Sequence, residues 1–461
     1  MRTNDRLHRW RLLAVIAAMA LVLAACTATE DASPDDANGG ASPGGGNGDA
    51  SAAADGEAAG EVVMVSSQLV PTAEQELMNN EILANFEGEV EFVGLDAGPF
   101  NDQIRAQEEA GEGEISLIGG LDGEFSSFAA DGLLMDLSDV AEDLADLGIN
   151  ETYLEFGKLG TDQQLYIPWM QATYIMAART EALDYLPDGA DVNDLTWEQL
   201  TEWGANIEAE TGERRLGFPA GEDGLLHRFF QGYSYPAFTG GVNTTFTSPE
   251  AVEMWNWLAE TWQYVNPAST TYGFMQEPLQ SGEVWVAWDH TARLIQALEN
   301  MPDDIIAFPV PSGPEGKAYM PVVAGLGVPT TSANPEGAKD LIRYLLSPET
   351  QAATLSAVSF FPVIESDLPD VGPGLQAEID AVEMQLNADD ALPAYLPVGL
   401  GDQGGAYSQV FRDVFQGVVM DGGDPATILE EQLPNLQAVF AVSGAPCWPP
   451  DPESDGPCQA Q

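Results

Sequence analysis

Catalysis needs reactive side chains, and this sequence is short of them. Beyond residue 25 it has two histidines, His227 and His290; its one Gly-x-Ser-x-Gly match, Gly40 to Gly44, falls in a Gly- and Ala-rich stretch rather than at a strand-to-helix elbow, and it contains no Gly-x4-Gly-Lys phosphate loop. The common nucleophile–base and nucleotide-phosphate arrangements are therefore missing. Glycoside hydrolysis asks only for two carboxylates, but among 74 Asp and Glu some pair would always look suitable, so such a pair carries no information. Binding chemistry is better supplied. Trp169, Gln171 and Tyr174 fall within one short stretch, and Trp288, Asp289 and His290 are consecutive. An aromatic ring packs on the apolar face of a pyranose while carboxylates and amides bind its hydroxyls. The same rings and acids can surround a cation.

The three cysteines divide into two groups. Arg2, Arg6, Arg9 and Arg11 precede an apolar run from Leu12 to Leu23, and Leu23-Ala24-Ala25-Cys26 follows. That is the layout of an export signal, too short for a membrane span. The tetrad resembles a bacterial lipobox, which implies cleavage before Cys26 and a lipid on that residue. Cys447 and Cys458 lie in a Pro- and Asp-rich tail, where an exported chain can oxidise them to a disulfide; two unpaired thiols remain the alternative. Too few Cys and His accompany them for a tetrahedral metal site, and no cofactor is called for.

Residues 27 to 60 lack aromatics, Leu, Ile, Val and Met, so nothing there can offset the entropy of ordering. This segment reads as a tether with an end-to-end distance of roughly 30 to 35 Å. Without the first 25 residues the chain keeps 11 Lys and Arg against 73 Asp and Glu, an excess of 62 acids. Such a field repels nucleic acid and strains the compact state unless salt screens it. Because the acids are spread along the whole chain, they describe a surface adapted to high salt, and stability is expected to rise with salt.

Positioning the binding residues falls to about 400 residues, more than one core usually supports, which predicts two lobes. Val62–Ser66, Val90–Leu95 and Ile115–Gly119 read as buried strands, with helices over Glu74–Phe86 and Phe125–Leu134 between and after them. That alternation predicts a parallel-sheet α/β architecture with ligands at the carboxyl ends of the strands. Thr196 with Gln199 forms a capping box and Gly212 a stop. Ser248-Pro249, Asn334-Pro335, Ser347-Pro348 and Asp424-Pro425 each mark a helix start, and Pro434 predicts a kink. Strands are expected at Val284–Trp288, Ile305–Val310 and Tyr319–Val328. Trp255, Trp257 and Trp262 follow helical spacing and read as core.

From Ser281 to Pro362 the sequence resembles the extracellular solute-binding proteins of sugar ABC importers. The resemblance runs through Ser281-Gly282-Glu283-Val284-Trp285-Val286-Ala287-Trp288, Ala307-Phe308-Pro309-Val310-Pro311, Gly325-Leu326-Gly327-Val328-Pro329, Asn334-Pro335-Glu336-Gly337-Ala338 and Leu345-Leu346-Ser347-Pro348-Glu349. Tyr166-Ile167-Pro168-Trp169 and Leu195-Thr196-Trp197-Glu198-Gln199-Leu200 agree with it. It implies a two-lobed, periplasmic-binding-protein-like (type II) α/β fold with a hinge. Lobe one would comprise 61–172 and 326–360, and lobe two 175–321 and 363–445, followed by a tail over 446–461. It implies a non-enzymatic, monomeric receptor, lipid-anchored outside the cytoplasmic membrane, that closes on a small solute and hands it to ABC permease subunits.

The resemblance places Ser67 and Gln68 in the loop facing the cleft and matches Asp122 to a hydroxyl-binding carboxylate. Trp169, Gln171 and Tyr174 fall on the first crossing between lobes, Phe361 beside the third, and Trp288, Asp289 and His290 on the opposite wall, with Tyr233 and Tyr235 as further aromatics. Asp289-His290-Thr291 stands where the family usually shows glycine and then tryptophan, which weakens the assignment to a mono- or oligosaccharide. A cationic solute, a polyamine or quaternary amine, is the alternative cargo, and a surface-anchored carbohydrate-active enzyme is the second alternative.

Overall fold

Short β-rich apolar runs, each stopped by a turn or a helix cap, build the sheets. The computed structural model describes residues 60–111, 113–365 and 370–461. The export segment, Cys26 and the tether up to residue 59 lie outside the described residues. In chain order the strands are β1 (Val62–Ser66), β2 (Val90–Gly94), β3 (Leu117–Leu121), β4 (Ile167–Ala172), β5 (Tyr174–Arg179), β6 (Leu216–Gly217), β7 (Val286–His290), β8 (Ile305–Phe308), β9 (Lys317–Tyr319), β10 (Val322–Gly327) and β11 (Ala391–Pro393).

They form two mixed sheets. The first has the order β2-β1-β3-β10-β4, with β1, β2 and β3 parallel and β10 antiparallel to both its neighbours. The second has the order β6-β7-β5-β8, with β5 antiparallel to β7 and β8. A two-stranded pair joins β11 to β9. Helices cover both sheets, as parallel strands require. One large cluster of buried apolar side chains spans residues of both sheets, with a smaller one behind each.

Consecutive strands β4 and β5 lie in different sheets, separated by Thr173 alone. The expected single strand Tyr319–Val328 is instead two, because Pro321 has no N–H to continue a ladder; β9 pairs with β11, and β10 belongs to the first sheet. Beyond the helix Pro348–Val358, Phe361 exchanges two backbone hydrogen bonds with Gln171, at 2.7 and 2.9 Å. Two residues after Gln171, the Thr173 hydroxyl donates to the carbonyl of Met320 at 3.0 Å and so ties the β4–β5 passage to the β9–β10 one.

Local signals place the helices. Thr196 and Gln199 cap Trp197–Thr211 reciprocally and Gly212 ends it in a left-handed turn. Ser248, Asn334, Ser347 and Asp424 each cap the helix they precede. Helix Pro425–Ser443 continues through Pro434. The helix expected over Glu74–Phe86 starts at Thr72 and widens from Met78 to Ile82.

The tail is integral to the structure. Cys447 and Cys458 are joined in a disulfide. Between them, the buried carboxylate of Asp451 accepts hydrogen bonds from the backbone N–H groups of Val242, Asn243 and Thr244 and from the side chains of Asn243 and Thr244, at 2.6 to 3.1 Å. Trp448 packs edge-on against Tyr407, whose hydroxyl donates to Asn243 Oδ1 at 2.8 Å.

Candidate ligand-binding cleft

Because β1, β2 and β3 are parallel, the turns that follow them share one edge of the first sheet. After β1, the Ser66 hydroxyl accepts the N–H of Gln68 at 2.9 Å, and Gln68 Nε2 donates to Ser67 Oγ at 3.3 Å. Leu69 then takes φ +57°, a left-handed conformation that costs a leucine about 1 to 3 kcal/mol. Gly94, at the end of β2, permits this turn; a Cβ there would lie 2.7 Å from the Leu69 carbonyl oxygen. Helix Asp122–Ala130 starts directly after β3. Asp122 is its first residue, and the Asp122 side chain lies outside the described residues.

Two residues further on, Glu124 reaches back into the turn. Its Oε2 accepts from the Ser67 hydroxyl at 2.6 Å and from the Leu121 N–H at 2.8 Å. Its Oε1 is buried and has no partner. Burial raises the carboxyl above its ordinary value and the two hydrogen bonds oppose that rise. A buried acceptor left without a donor is uncommon and marks this turn for a role beyond packing.

Glu124 faces a cavity of about 640 Å³. One part of its lining comes from the helices that follow β2 and β3, including Asp102, Glu124 and Ser127; the rest comes from Arg228 and from the 396–408 segment, including Asp402 and Ser408. Arg228 precedes Phe229 in a helical turn between β6 and β7 of the second sheet. It is half-buried and donates to Gln231 Oε1 at 3.0 Å.

The other residues singled out from the sequence sit elsewhere. Gln171 has its amide committed at the crossing, accepting from the Tyr153 hydroxyl at 2.8 Å and donating to the Pro362 carbonyl at 2.7 Å. It lines a separate, largely apolar cavity of about 240 Å³ with Phe361, Ile379 and Val382. Trp169 is fully buried and its Nε1 is unpartnered. Tyr174 and Trp288 stack with centroids 4.7 Å apart and planes 3° from parallel, and Tyr233 meets Trp288 edge-on at 5.2 Å. The Tyr233 hydroxyl accepts from the Tyr174 N–H at 2.9 Å. Tyr235 is buried and accepts from Trp255 Nε1 at 3.0 Å. The rings that suggested a stacking surface thus pack on one another.

Asp289 is fully buried; its oxygens accept from the backbone N–H of Met275 and of His290, both at 2.8 Å. Burial pushes its carboxyl up to about 6, against the pull of the Arg293 charge. His290 Nδ1 accepts the Ala292 N–H at 3.2 Å and so caps the helix Thr291–Asn300. Burial, aided by Arg293, holds its imidazole down at about 3. The cage of acids and tryptophans that would hold a cation is not assembled from Trp169, Trp288 and Asp289 in this conformation.

Sequence reading missed Glu124 and Arg228. Both left a signal. Glu124 occupies the third position of a helix starting at a strand end, where an acid reaches back to the turn. Arg228 interrupts the apolar run Leu225-Leu226-His227-Arg228-Phe229-Phe230 in a chain with few cations.

No helix among the described residues is long and apolar enough to cross a membrane. No curated protein sequence matches the chain. Among solved structures, T. maritima MalE3 with maltose bound is similar at 17% identity and TM-score 0.67, covering 83% of this chain and 100% of that one. UgpB from Mycobacterium tuberculosis, in complex with glycerophosphocholine, is similar at 18% identity and TM-score 0.66, with 83% and 99% covered. The GacH receptor of Streptomyces glaucescens GLA.O, solved unliganded and with acarbose, is similar at 18% identity and TM-score 0.65, with 84% and 99% covered. These likenesses establish the periplasmic-binding-protein fold. The family model described as bacterial extracellular solute-binding protein matches residues 70–352, more than half of the sequence, and the chain therefore belongs to that family of non-enzymatic ABC-transporter receptors.

Proposed function

We propose that the protein captures a mono- or oligosaccharide in the 640 Å³ cavity and delivers it to an ABC permease by closing about the Thr173 crossing. The observation that carries this reading is Glu124, a carboxylate on the cavity wall with one oxygen bonded twice and the other buried without a partner. A sugar hydroxyl is a suitable donor to that oxygen, and a charge-assisted hydrogen bond is roughly twice as strong as a neutral one. The cavity has the size usual for small-molecule sites, about 300 to 1,000 Å³. Asp102, Asp402 and Ser408 add further hydroxyl partners.

Contacts from both sides of the cavity favour the closed form, and only such differential contact shifts the equilibrium. In this reading residues 61–172 with 326–360 and residues 175–321 with 363–445 are the moving lobes, with Ser67 and Gln68 supporting Glu124. Lipid on Cys26 and the tether keep the receptor near its permease outside the cytoplasmic membrane. The maltose, acarbose and chitin-oligosaccharide binding named for structural neighbours supports a carbohydrate cargo.

The test is a thermal-shift screen of mono- and oligosaccharides, amines and amino acids, with small-angle scattering on each hit. A saccharide that raises the melting temperature and shrinks the radius of gyration is the expected result. Hits confined to amines, or a hit without compaction, would refute it.

A further inference from the structure

One charge at the cavity runs against the charge of the chain. Excess acid should leave few cations without a carboxylate neighbour. Among the described residues, seven of the eleven Lys and Arg lie within 4.0 Å of one. Of the four that do not, Arg228 and Arg412 lie on either side of one histidine. Arg228 follows His227 directly, and Arg412 Nη2 stands 3.0 Å from His227 Nδ1. Arg412 is also one helical turn beyond Ser408, which lines the cavity. Their combined charge, with that of Arg293, joins burial in depressing His227, so no positive charge from that ring offsets an acid here.

Arg228 is the cation that meets the cavity. Among the described residues the one hydrogen bond of its guanidinium runs to Gln231, which is 3% exposed and keeps a buried Nε2 with no acceptor. Gln231 therefore orients the guanidinium without neutralising it, and adds a second donor short of a partner. Among the described side chains three carboxylates share the cavity, Asp102, Glu124 and Asp402, and none of them lies within 4.0 Å of Arg228. The cavity thus offers acceptors for hydroxyl groups and, apart from them, a fork of guanidinium donors suited to a planar or tetrahedral oxyanion.

We infer that the cargo is an acidic carbohydrate, a polyol carrying one carboxylate or phosphate, with Arg228 holding the oxyanion and Glu124 a hydroxyl. This deepens the carbohydrate reading and rests on it. It also gives the acidic chain a use for one cation kept apart from carboxylates: an anion repelled by the global charge needs a local cation to bind.

Calorimetry on the purified protein in about molar salt, where the screening length is ~3 Å, removes the global repulsion from the comparison. Glucuronate, galacturonate and their oligomers are titrated beside glucose 6-phosphate, and glucose, galactose and maltose serve as neutral counterparts. At least one acidic class is expected to bind tenfold or more tightly than its neutral parent, and which class does so separates carboxylate from phosphate. Arg228→Gln should bring that class down to the parent's affinity, and Arg228→Lys should keep part of the preference. Melting temperatures check both variants, and if Arg228→Gln does not fold, the ranking with unmodified protein and Arg228→Lys still decides.

Neutral sugars binding as well as acidic ones, or a preference that survives Arg228→Gln, overturns the inference and leaves the carbohydrate reading standing. Inorganic phosphate or acetate binding as tightly as the acidic sugars overturns the carbohydrate reading while keeping Arg228 as an anion site. Failure of every sugar, neutral or acidic, overturns both.

Discussion

Two strand-to-helix junctions, one in each sheet, carry an acid at nearly the same place and use it oppositely. At the end of β7, Asp289 has an amide donor on each oxygen and no exposure. After β3, Glu124 has two donors on one oxygen and none on the other, at the wall of a cavity. The first acid holds the loop around Met275 to the sheet; the second has capacity left over for a guest. An acid after a strand is therefore no indication of binding by itself, and the accounting of its lone pairs separates the two cases.

Breaking the satisfied junction should have the largest effect on the fold. Asp289→Ala leaves two buried N–H groups without acceptors, each costing about 1 to 3 kcal/mol. Denaturant titration should show a loss of about 2 to 5 kcal/mol with ligand affinity per folded molecule little changed. An unchanged midpoint would mean the junction is not held by that carboxylate. Glu124→Gln should reverse the pattern. Its neutral amide keeps the shape, so stability should move by less than about 1 kcal/mol, while affinity for the identified solute should drop about tenfold to a hundredfold by calorimetry.

Protonation sharpens the contrast with a smaller effect. Asp289 is raised from 3.8 to about 6, so folding favours its protonated form, and its contribution is lost as pH rises from about 4 to 6. His290 is lowered from 6.5 to about 3, so its contribution is lost as pH falls through the same interval. In the parent these slopes oppose each other. Relative to the parent, Asp289→Asn should gain stability as pH rises from 4 to 6, and His290→Gln should lose it. Parallel curves for both variants and parent would show that neither group is shifted by folding.

The sequence announced its local structure well. β1 spans Val62–Ser66 as read, and the caps at Thr196, Ser248, Asn334, Ser347 and Asp424 are in place, because a cap is a contact within three residues of its own helix. The break between β9 and β10 hinged on Pro321, which was present in the sequence but hidden by the apolar residues on either side. The functional faces were harder to read. All five residues of β7 are buried, so no alternation could say whether Trp288 faced ligand or core. Its ring found Tyr174, Tyr233 and Phe229, contacts set by chain passages far apart in sequence. Glu124 was not singled out because its reach back to Ser67 and Leu121 is set by the geometry of the turn rather than by composition.

The Asp451 clasp bears on the order in which the polypeptide can mature. Three successive amides at Val242, Asn243 and Thr244 wait for a carboxylate some two hundred positions downstream. Asn243 in turn receives the Tyr407 hydroxyl from the helix that begins at the cavity wall. During synthesis, that wall would be left unbraced until nearly the whole chain had emerged, so assembly of the binding surface is a late event and truncation from the carboxyl side should cost receptor competence before it costs secondary structure.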